Sequence, residues 1–121
     1  MPKRRRLVIR NTTKSTELAA EARMADSFVT RLRGLLLSPK LKQGEGLIIS
    51  PCNAIHMFGM LYAIDAVFVD KERTVVGMVK SIWPMALSPV FKKAHSTIEL
   101  PTGTISATKT EAGDSIDWHE V

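Results

Sequence analysis

Residues 51–70, PCNAIHMFGMLYAIDAVFVD, contain the most informative pattern of the chain. It places the one cysteine of the chain, one of its three histidines and an aspartate in an otherwise apolar run. Residues 64–69 predict a short buried strand, because a brief apolar run ending at a polar turn is typical of one. Asp65 lies inside that run, and a desolvated carboxylate needs a partner or a function. The stretch therefore predicts a buried strand with a site nearby, but it does not specify a reaction.

Length and composition describe one ordinary globular domain. A chain of 121 residues, 45% hydrophobic and 24% charged, is long enough to bury a core without disulfides or a structural metal. A single cysteine cannot form an internal disulfide, and no apolar run reaches the roughly 18–20 residues that span a bilayer. The basic N-terminus lacks the apolar stretch of a signal peptide. We expect a cytoplasmic protein with no membrane partner.

Positive charge is concentrated at the N-terminal end. Residues 1–43 hold 11 basic and 3 acidic side chains, whereas residues 44–121 hold 6 and 9. Residues 1–5 are predicted to form a flexible basic arm, and residues 6–121 a single globular domain. The arm either solubilises the protein or contacts RNA or DNA through Arg4 and Arg5, with Arg6, Arg31 and Arg33 as further candidates.

The pattern of apolar residues is mostly that of β-structure. Strands are predicted at 6–10, 17–25, 47–49, 54–60, 64–69, 74–79, 97–100 and 115–118, with a loop over 83–94. One amphipathic helix is predicted from Asp26 or Ser27 to Pro39, because apolar residues recur on one helical face between them. The fold class is therefore mostly β (α+β): a compact β-sandwich or open barrel of seven to eight short strands, with the helix near the N-terminus.

Several segments together carry a resemblance to a known family. They are Arg31–Leu36, Glu45–Ile49, Cys52–Met60, Ile64–Asp70, Trp83–Pro84, Ile98–Ile105 and Gly113–Asp114. In this order and spacing, the chain resembles the bacterial and archaeal family called domain of unknown function 192, over about residues 17–118. The resemblance implies a compact, mostly β domain and no established activity, and we expect a bacterial source. Ala63 and Met85-Ala86 depart from the residues usual in the family, so the loop after Trp83 is the least comparable part.

Cys52 and His56 invite a metal or nucleophile interpretation. On an extended chain four residues span about 13 Å, too far for both side chains to bind one ion or to form a catalytic pair. Cysteine is also commonly a small buried hydrophobe. We therefore expect no metal, no cofactor and a structural Cys52.

The candidate pocket comprises His56, Phe58, Asp65, Trp83 and Glu99. Asp65 has two interpretations: it accepts backbone amides of the turn at residues 61–63, or it acts as an acid or base with His56 or Glu99. Glu99 points away from its apolar neighbours, and Trp83 either caps the core or offers a stacking surface.

Three functions remain open from the sequence. The leading one is a non-catalytic β-domain that binds a small ligand or a partner through this pocket. The first alternative is a hydrolase-like enzyme that uses His56 with Asp65 or Glu99 as acid and base. The second is a protein that associates with RNA or DNA through the basic arm. No catalytic residue is assigned.

Overall fold

The computed structural model describes residues 6–25, 41–57 and 61–121. Its elements are β1 (Leu7–Asn11), β2 (Thr16–Ala25), β3 (Glu45–Ile49), β4 (Ile64–Val69), β5 (Val75–Ile82), β6 (Ser96–Pro101), α1 (Thr104–Thr108) and β7 (Ile116–Glu120). The helix predicted from Asp26 or Ser27 to Pro39 lies outside the described residues. Within them the helix is α1, which is short and follows β6, so it does not match the expected helix near the N-terminus.

The strands form one seven-stranded sheet in the order β5-β4-β6-β3-β2-β1-β7. All neighbours are antiparallel except β2 and β3, which run parallel. The ten-residue β2 confirms that the alternating pattern over 17–25 is a strand and not a helix. The sequence predicts a β-sandwich or an open barrel, and the single curled sheet matches the open barrel.

The two edge strands meet at one end of the sheet. Thr74 and Ser115, which precede β5 and β7, form an antiparallel bridge. Backbone hydrogen bonds of 2.8 Å from Val75 N–H to Asp114 C=O and from Ile116 N–H to Arg73 C=O flank it. The edges are therefore closed at this end, which we call the seam, and closure removes exposed strand edges there.

Both faces of the sheet are covered. An inner core, formed inside the curl, includes Ile9, Val67 and Ile98, while an outer core on the other face includes Leu47 and Phe68. Strand β4 lies between the two and is buried at all six positions. This explains why residues 64–69 are apolar on both alternating sides.

The outer core is covered by two paired segments, residues 52–57 and 83–91, which we call the ribbon. They run antiparallel through backbone bonds from Met57 to Ala86, from Ser88 to Ile55 and from Phe91 to Asn53. The strand predicted over 54–60 is wrong as a regular strand for residues 54–57, which make one isolated bridge, His56 with Leu87. Residues 58–60 lie outside the described part. The predicted loop over 83–94 is confirmed.

Candidate functional site

Glu99 occupies the centre of the outer face of the sheet. Its direct cross-strand partners are Leu47 on β3 and Ala66 on β4, and the row continues to Arg23 on β2 and Val79 on β5. Direct cross-strand neighbours project to the same face, so one row holds a carboxyl, a guanidinium and three apolar side chains. Ile98 and Leu100 belong to the inner core, which fixes Glu99 outward.

The Glu99 carboxyl is buried. The residue is 6% exposed, and burial raises the pKa of its carboxyl to about 8. Burial is the cause of this shift among the residues that the structure describes. The carboxyl is therefore protonated at neutral pH, so it presents one O–H donor as well as acceptor lone pairs.

Tyr62 brings a buried hydroxyl group to the same face. Its hydroxyl oxygen is buried and has no hydrogen-bond partner of good geometry, although the backbone of Leu41 is close enough to lower the pKa of the phenol. Burial is the main cause that raises this pKa, and the Glu99 charge raises it further while Arg23 lowers it. Tyr62 also packs against the outer core, so it lies on the same face of the sheet as Glu99.

The Glu99 and Tyr62 pair suits an anionic or acceptor-rich ligand. A protonated carboxyl and a phenol both donate O–H bonds, and a guanidinium in the same row adds positive charge. A metal centre has less support, because residues 6–25, 41–57 and 61–121 contain no cluster of three or more His, Cys, Asp or Glu side chains. Sequence reasoning missed Tyr62 and Arg23 because their approach to Glu99 depends on strand register.

Asp65 is turned away from Glu99. It pairs directly with Leu100, so it projects toward the inner core, and it is only 1% exposed. One carboxylate oxygen accepts the Ser81 N–H at 2.9 Å and the other accepts the Ile105 N–H at 2.9 Å. Asp65 therefore accepts backbone amides, as one interpretation predicted, but these belong to β5 and α1 and not to the turn at residues 61–63.

The remaining predicted pocket residues do not converge on Glu99. His56 is exposed on the outer side of the ribbon opposite Leu87, and Trp83 is 72% exposed where the ribbon begins. Phe58 lies outside the described residues. Cys52 is half-buried, and its thiol donates to the Ala54 carbonyl at 3.1 Å. The described part of the predicted pocket thus divides among the inner face, the outer face and the ribbon surface.

A cluster of hydroxyl groups beside the ribbon was not predicted from the sequence. Ser96 Oγ donates to Ser50 Oγ at 2.9 Å, and both oxygens lie 3.4 Å from His95 Nδ1. The serine–histidine contacts are longer than a strong O–H···N hydrogen bond, so His95 is poorly placed to activate either serine. Its backbone instead joins the ribbon to the sheet, donating to Val69 and accepting from Cys52.

Comparison with known sequences gives one family over almost the whole chain. The profile of DUF192, described as uncharacterised ACR, matches residues 9–118. A UPF0127 protein of Thermococcus sibiricus is 38% identical over 112 residues, covering 89% of this chain and 72% of that protein. Another, from Pyrococcus abyssi, is 36% identical over 117 residues, covering 92% and 97%. Both organisms are archaea, so the expectation of a bacterial source is not supported.

Two solved structures share the fold. A protein of unknown function from Novosphingobium aromaticivorans superposes with a TM-score of 0.77 at 18% identity, over 93% of this chain and 84% of that one. A putative transcription regulator from Sinorhizobium meliloti superposes with a TM-score of 0.79 at 16% identity, over 96% and 94%. At these identities the likeness concerns the fold alone.

Proposed function

The chain belongs to the uncharacterised DUF192 family, and we propose from its own geometry that it is a non-catalytic β-domain that binds a small carboxylate-bearing ligand at Glu99 and Tyr62. The observation that carries the proposal is that the outer face holds a buried Glu99 carboxyl of raised pKa together with a buried Tyr62 hydroxyl that has no hydrogen-bond partner of good geometry among the described residues. An unsatisfied buried polar group costs about 1–3 kcal/mol. A ligand that satisfies both groups would recover that cost.

The ligand class follows from the donors. At neutral pH the protonated Glu99 donates to a carboxylate oxygen, and the Tyr62 hydroxyl donates to the same oxygen or its neighbour. The Arg23 guanidinium, two strands from Glu99 in the same row, supplies positive charge. Leu47 and Ala66 flank Glu99 and provide an apolar floor for the rest of the ligand.

The hydrolase-like alternative has less support. Both oxygens of Asp65 already accept backbone amides, and Asp65 and Glu99 project from opposite faces of the sheet. His56 is exposed on the ribbon, so an acid–base pair with either carboxyl would need another arrangement of the chain. A cytoplasmic location, suggested by the single cysteine, belongs to the same proposal.

Ligand binding is tested by titrating ¹⁵N-labelled protein with acetate, benzoate and succinate. At pH 6.5 we expect amide shifts concentrated at residues 47, 66 and 98–100. Tyr62→Phe, which removes only the hydroxyl, should weaken binding about five- to tenfold, as expected for one lost hydrogen bond of about 1 kcal/mol or more. Glu17→Gln, on the exposed part of β2, is the matched control and should bind like the parent protein.

The same titration at pH 9 separates a specific site from weak surface association. Ionisation of Glu99 above pH 8 converts its donor into an anion that repels a carboxylate, so binding should be lost there. Shifts scattered over the surface, or shifts unchanged in Tyr62→Phe, would contradict the proposal.

The nucleic-acid alternative is tested separately. The arm at residues 1–5 lies outside the described residues, and its role remains a prediction from charge. If Lys3, Arg4 and Arg5 contact phosphates, replacing all three with Gln should flatten the salt dependence of log K by about 2–3 units. Unchanged binding to RNA and DNA fragments would remove this alternative.

A further inference from the structure

The outer side of the ribbon is an exposed apolar surface. Trp83 is 72% exposed, Met85 64%, Leu87 68% and Val90 62%. Four large apolar side chains within eight residues are more than the scattered exposed hydrophobes of an ordinary surface. We call these four residues the ribbon face.

The backbone fixes these side chains outward. Met85 N–H donates to Met57 C=O at 2.9 Å, and Met57 N–H donates to Ala86 C=O at 2.8 Å. Residues beside and between them pack inward, since the flanking Ile82 is buried in the outer core and Ala86 and Phe91 pack against it. The ribbon face therefore cannot turn inward without removing core residues, and its exposure is a fixed property of the fold.

The surrounding charges have one sign. Residues 46–64 and 75–95 contain no aspartate or glutamate, although the whole chain has 12 acidic residues. The charged side chains of these segments are Lys80, Lys92 and Lys93, all exposed. An apolar surface with the exposed Lys92 and Lys93 beside Val90 is complementary to an apolar surface edged by anions.

We propose that the ribbon face docks onto the surface of an anionic lipid bilayer. Tryptophan and lysine are the side chains suited to the boundary between headgroups and acyl chains, because each has an apolar body and a polar tip. Stable attachment to a membrane takes two signals, and the ribbon offers shallow apolar insertion together with basic charge. A second copy of the chain is a poorer occupant, because it would bring the same lysines face to face.

This contact needs no spanning segment. No helix of the described residues is long and apolar enough to cross a membrane. A surface contact is compatible with that finding, but it departs from the expectation, drawn from the sequence, of no membrane partner. The ribbon face is separate from the Glu99 and Tyr62 pair, so either proposal can fail without the other.

The test is flotation of the full-length protein with vesicles. Vesicles of phosphatidylcholine with 30% phosphatidylglycerol should bind it, and binding should weaken in pure phosphatidylcholine or at high salt. Trp83→Ser should lower the partition coefficient roughly tenfold, the value expected for withdrawing one large apolar side chain from the interface. Replacing both Lys92 and Lys93 with Gln should lower it by at least about tenfold on anionic vesicles.

Matched variants identify the surface. Val90→Ser should weaken binding, whereas Val121→Ser should not, because both valines are 62% exposed but only Val90 lies on the ribbon face. Replacing Lys3, Arg4 and Arg5 with Gln controls for the arm and should leave the Trp83→Ser effect intact. A blue shift of tryptophan emission on vesicle addition should disappear in Trp83→Ser.

Several results would overturn the proposal. These are no binding to anionic vesicles, equal binding by Trp83→Ser and the parent protein, or binding abolished by neutralising the arm alone. Preference for soluble poly-glutamate over vesicles would indicate an acidic polypeptide partner instead. A stable dimer that dissociates in Trp83→Ser would show that a second copy covers the face.

Discussion

Asp65 and Glu99 lie on neighbouring strands, and their carboxyls meet opposite environments. Each oxygen of Asp65 accepts one backbone amide, and this anchors β5 at Ser81 and the start of α1 at Ile105. Glu99 projects from the other face and has no such partner among the described residues. Burial therefore has different consequences for the two carboxyls: backbone hydrogen bonds make Asp65 a structural acceptor, whereas burial raises the pKa of Glu99.

Asp65→Ala should destabilise the protein by about 1–3 kcal/mol, because it leaves two buried amides without an acceptor. Chemical denaturation measures this, and Asp117→Ala, at an exposed position on β7, serves as the control. A midpoint for Asp65→Ala that matches the control would show that the two amide bonds contribute nothing.

Glu99 should make the protein less stable as pH rises. The folded state holds a proton to a pKa of about 8, whereas the unfolded chain releases it near 4.5. The contribution of this proton to the free energy of unfolding is complete below pH 4.5. It is lost as pH rises to about 8, at roughly 1.4 kcal/mol per pH unit. Burial raises the pKa of the Tyr62 phenol above its usual value near 10, so Tyr62 stays protonated over that window.

Glu99→Gln should flatten this dependence, because glutamine does not titrate. Denaturation midpoints at pH 5.5, 7 and 8.5 would show the parent protein losing stability and the variant retaining it. Parallel curves for the two proteins would mean that Glu99 ionises normally in the folded state.

At the scale of elements, one glycine lets the ribbon pack on the sheet. Gly77 lies opposite Phe68 across β4 and β5, and the Phe91 ring from the ribbon sits 4.5 Å from the Phe68 ring centroid. A Cβ at Gly77 would come within 2.1 Å of the Phe91 ring. Glycine is therefore required here for close approach, and the strand keeps the ribbon against the outer core.

Gly77→Ala should destabilise the protein by about 1–3 kcal/mol, since Phe91 must move off Phe68. Combining it with Phe91→Leu should cost less than the sum of the two single changes, because the smaller side chain clears the clash. Thermal and chemical unfolding of the four proteins measures this coupling. Strictly additive effects would place Phe91 away from Gly77.

At the scale of the whole molecule, a buried polar network holds the seam. Asn11 Nδ2 donates to Asp114 at 2.9 Å, and Lys14 Nζ donates to Asp114 and to Glu111 at 2.9 Å. Burial alone would raise the pKa of Asp114, but the bonds from Asn11 and Lys14 outweigh it and hold that pKa below its usual value. Arg73 adds a second link, with its guanidinium 3.7 Å from the Trp118 ring centroid.

The lowered pKa of Asp114 predicts acid sensitivity. Its stabilising contribution is present above the ordinary pKa near 4 and is lost as pH falls through the lower folded value. Asp114→Asn should be less stable than the parent protein at pH 7 and should lose less stability between pH 5 and pH 2. An unfolding profile as acid-sensitive as that of the parent would assign the acid transition to other carboxyls.

The sequence predicts local features well and long-range ones poorly. The buried strand at β4 and the alternating β2 follow from apolar period, and the polar turn after Val69 follows from its residues. The partners of Asp65 lie 16 and 40 residues away, and those of Asn11 at the seam about 100 residues away, so no local pattern identifies them.

The candidate site likewise has local features that the sequence predicts and long-range contacts that it does not. Alternation indicates that Glu99 points away from Ile98 and Leu100, but it does not reveal that the outer face is itself covered. The neighbours of Glu99 depend on register across four strand pairs, and Tyr62 approaches from the turn before β4. A tyrosine two residues before the predicted strand was the available signal, and its relation to Glu99 became clear only from the structure.

The central claim is that Glu99 carries a proton in the folded protein at neutral pH. Its most direct test is an NMR titration of the Glu99 side-chain carboxyl carbon in ¹³C-labelled protein, assigned by comparison with Glu99→Gln. We predict a midpoint of about 8, with a chemical shift typical of the neutral acid at pH 6. A midpoint near 4.5 would contradict this prediction, because Glu99 would then be an ordinary ionised carboxylate and not a neutral O–H donor.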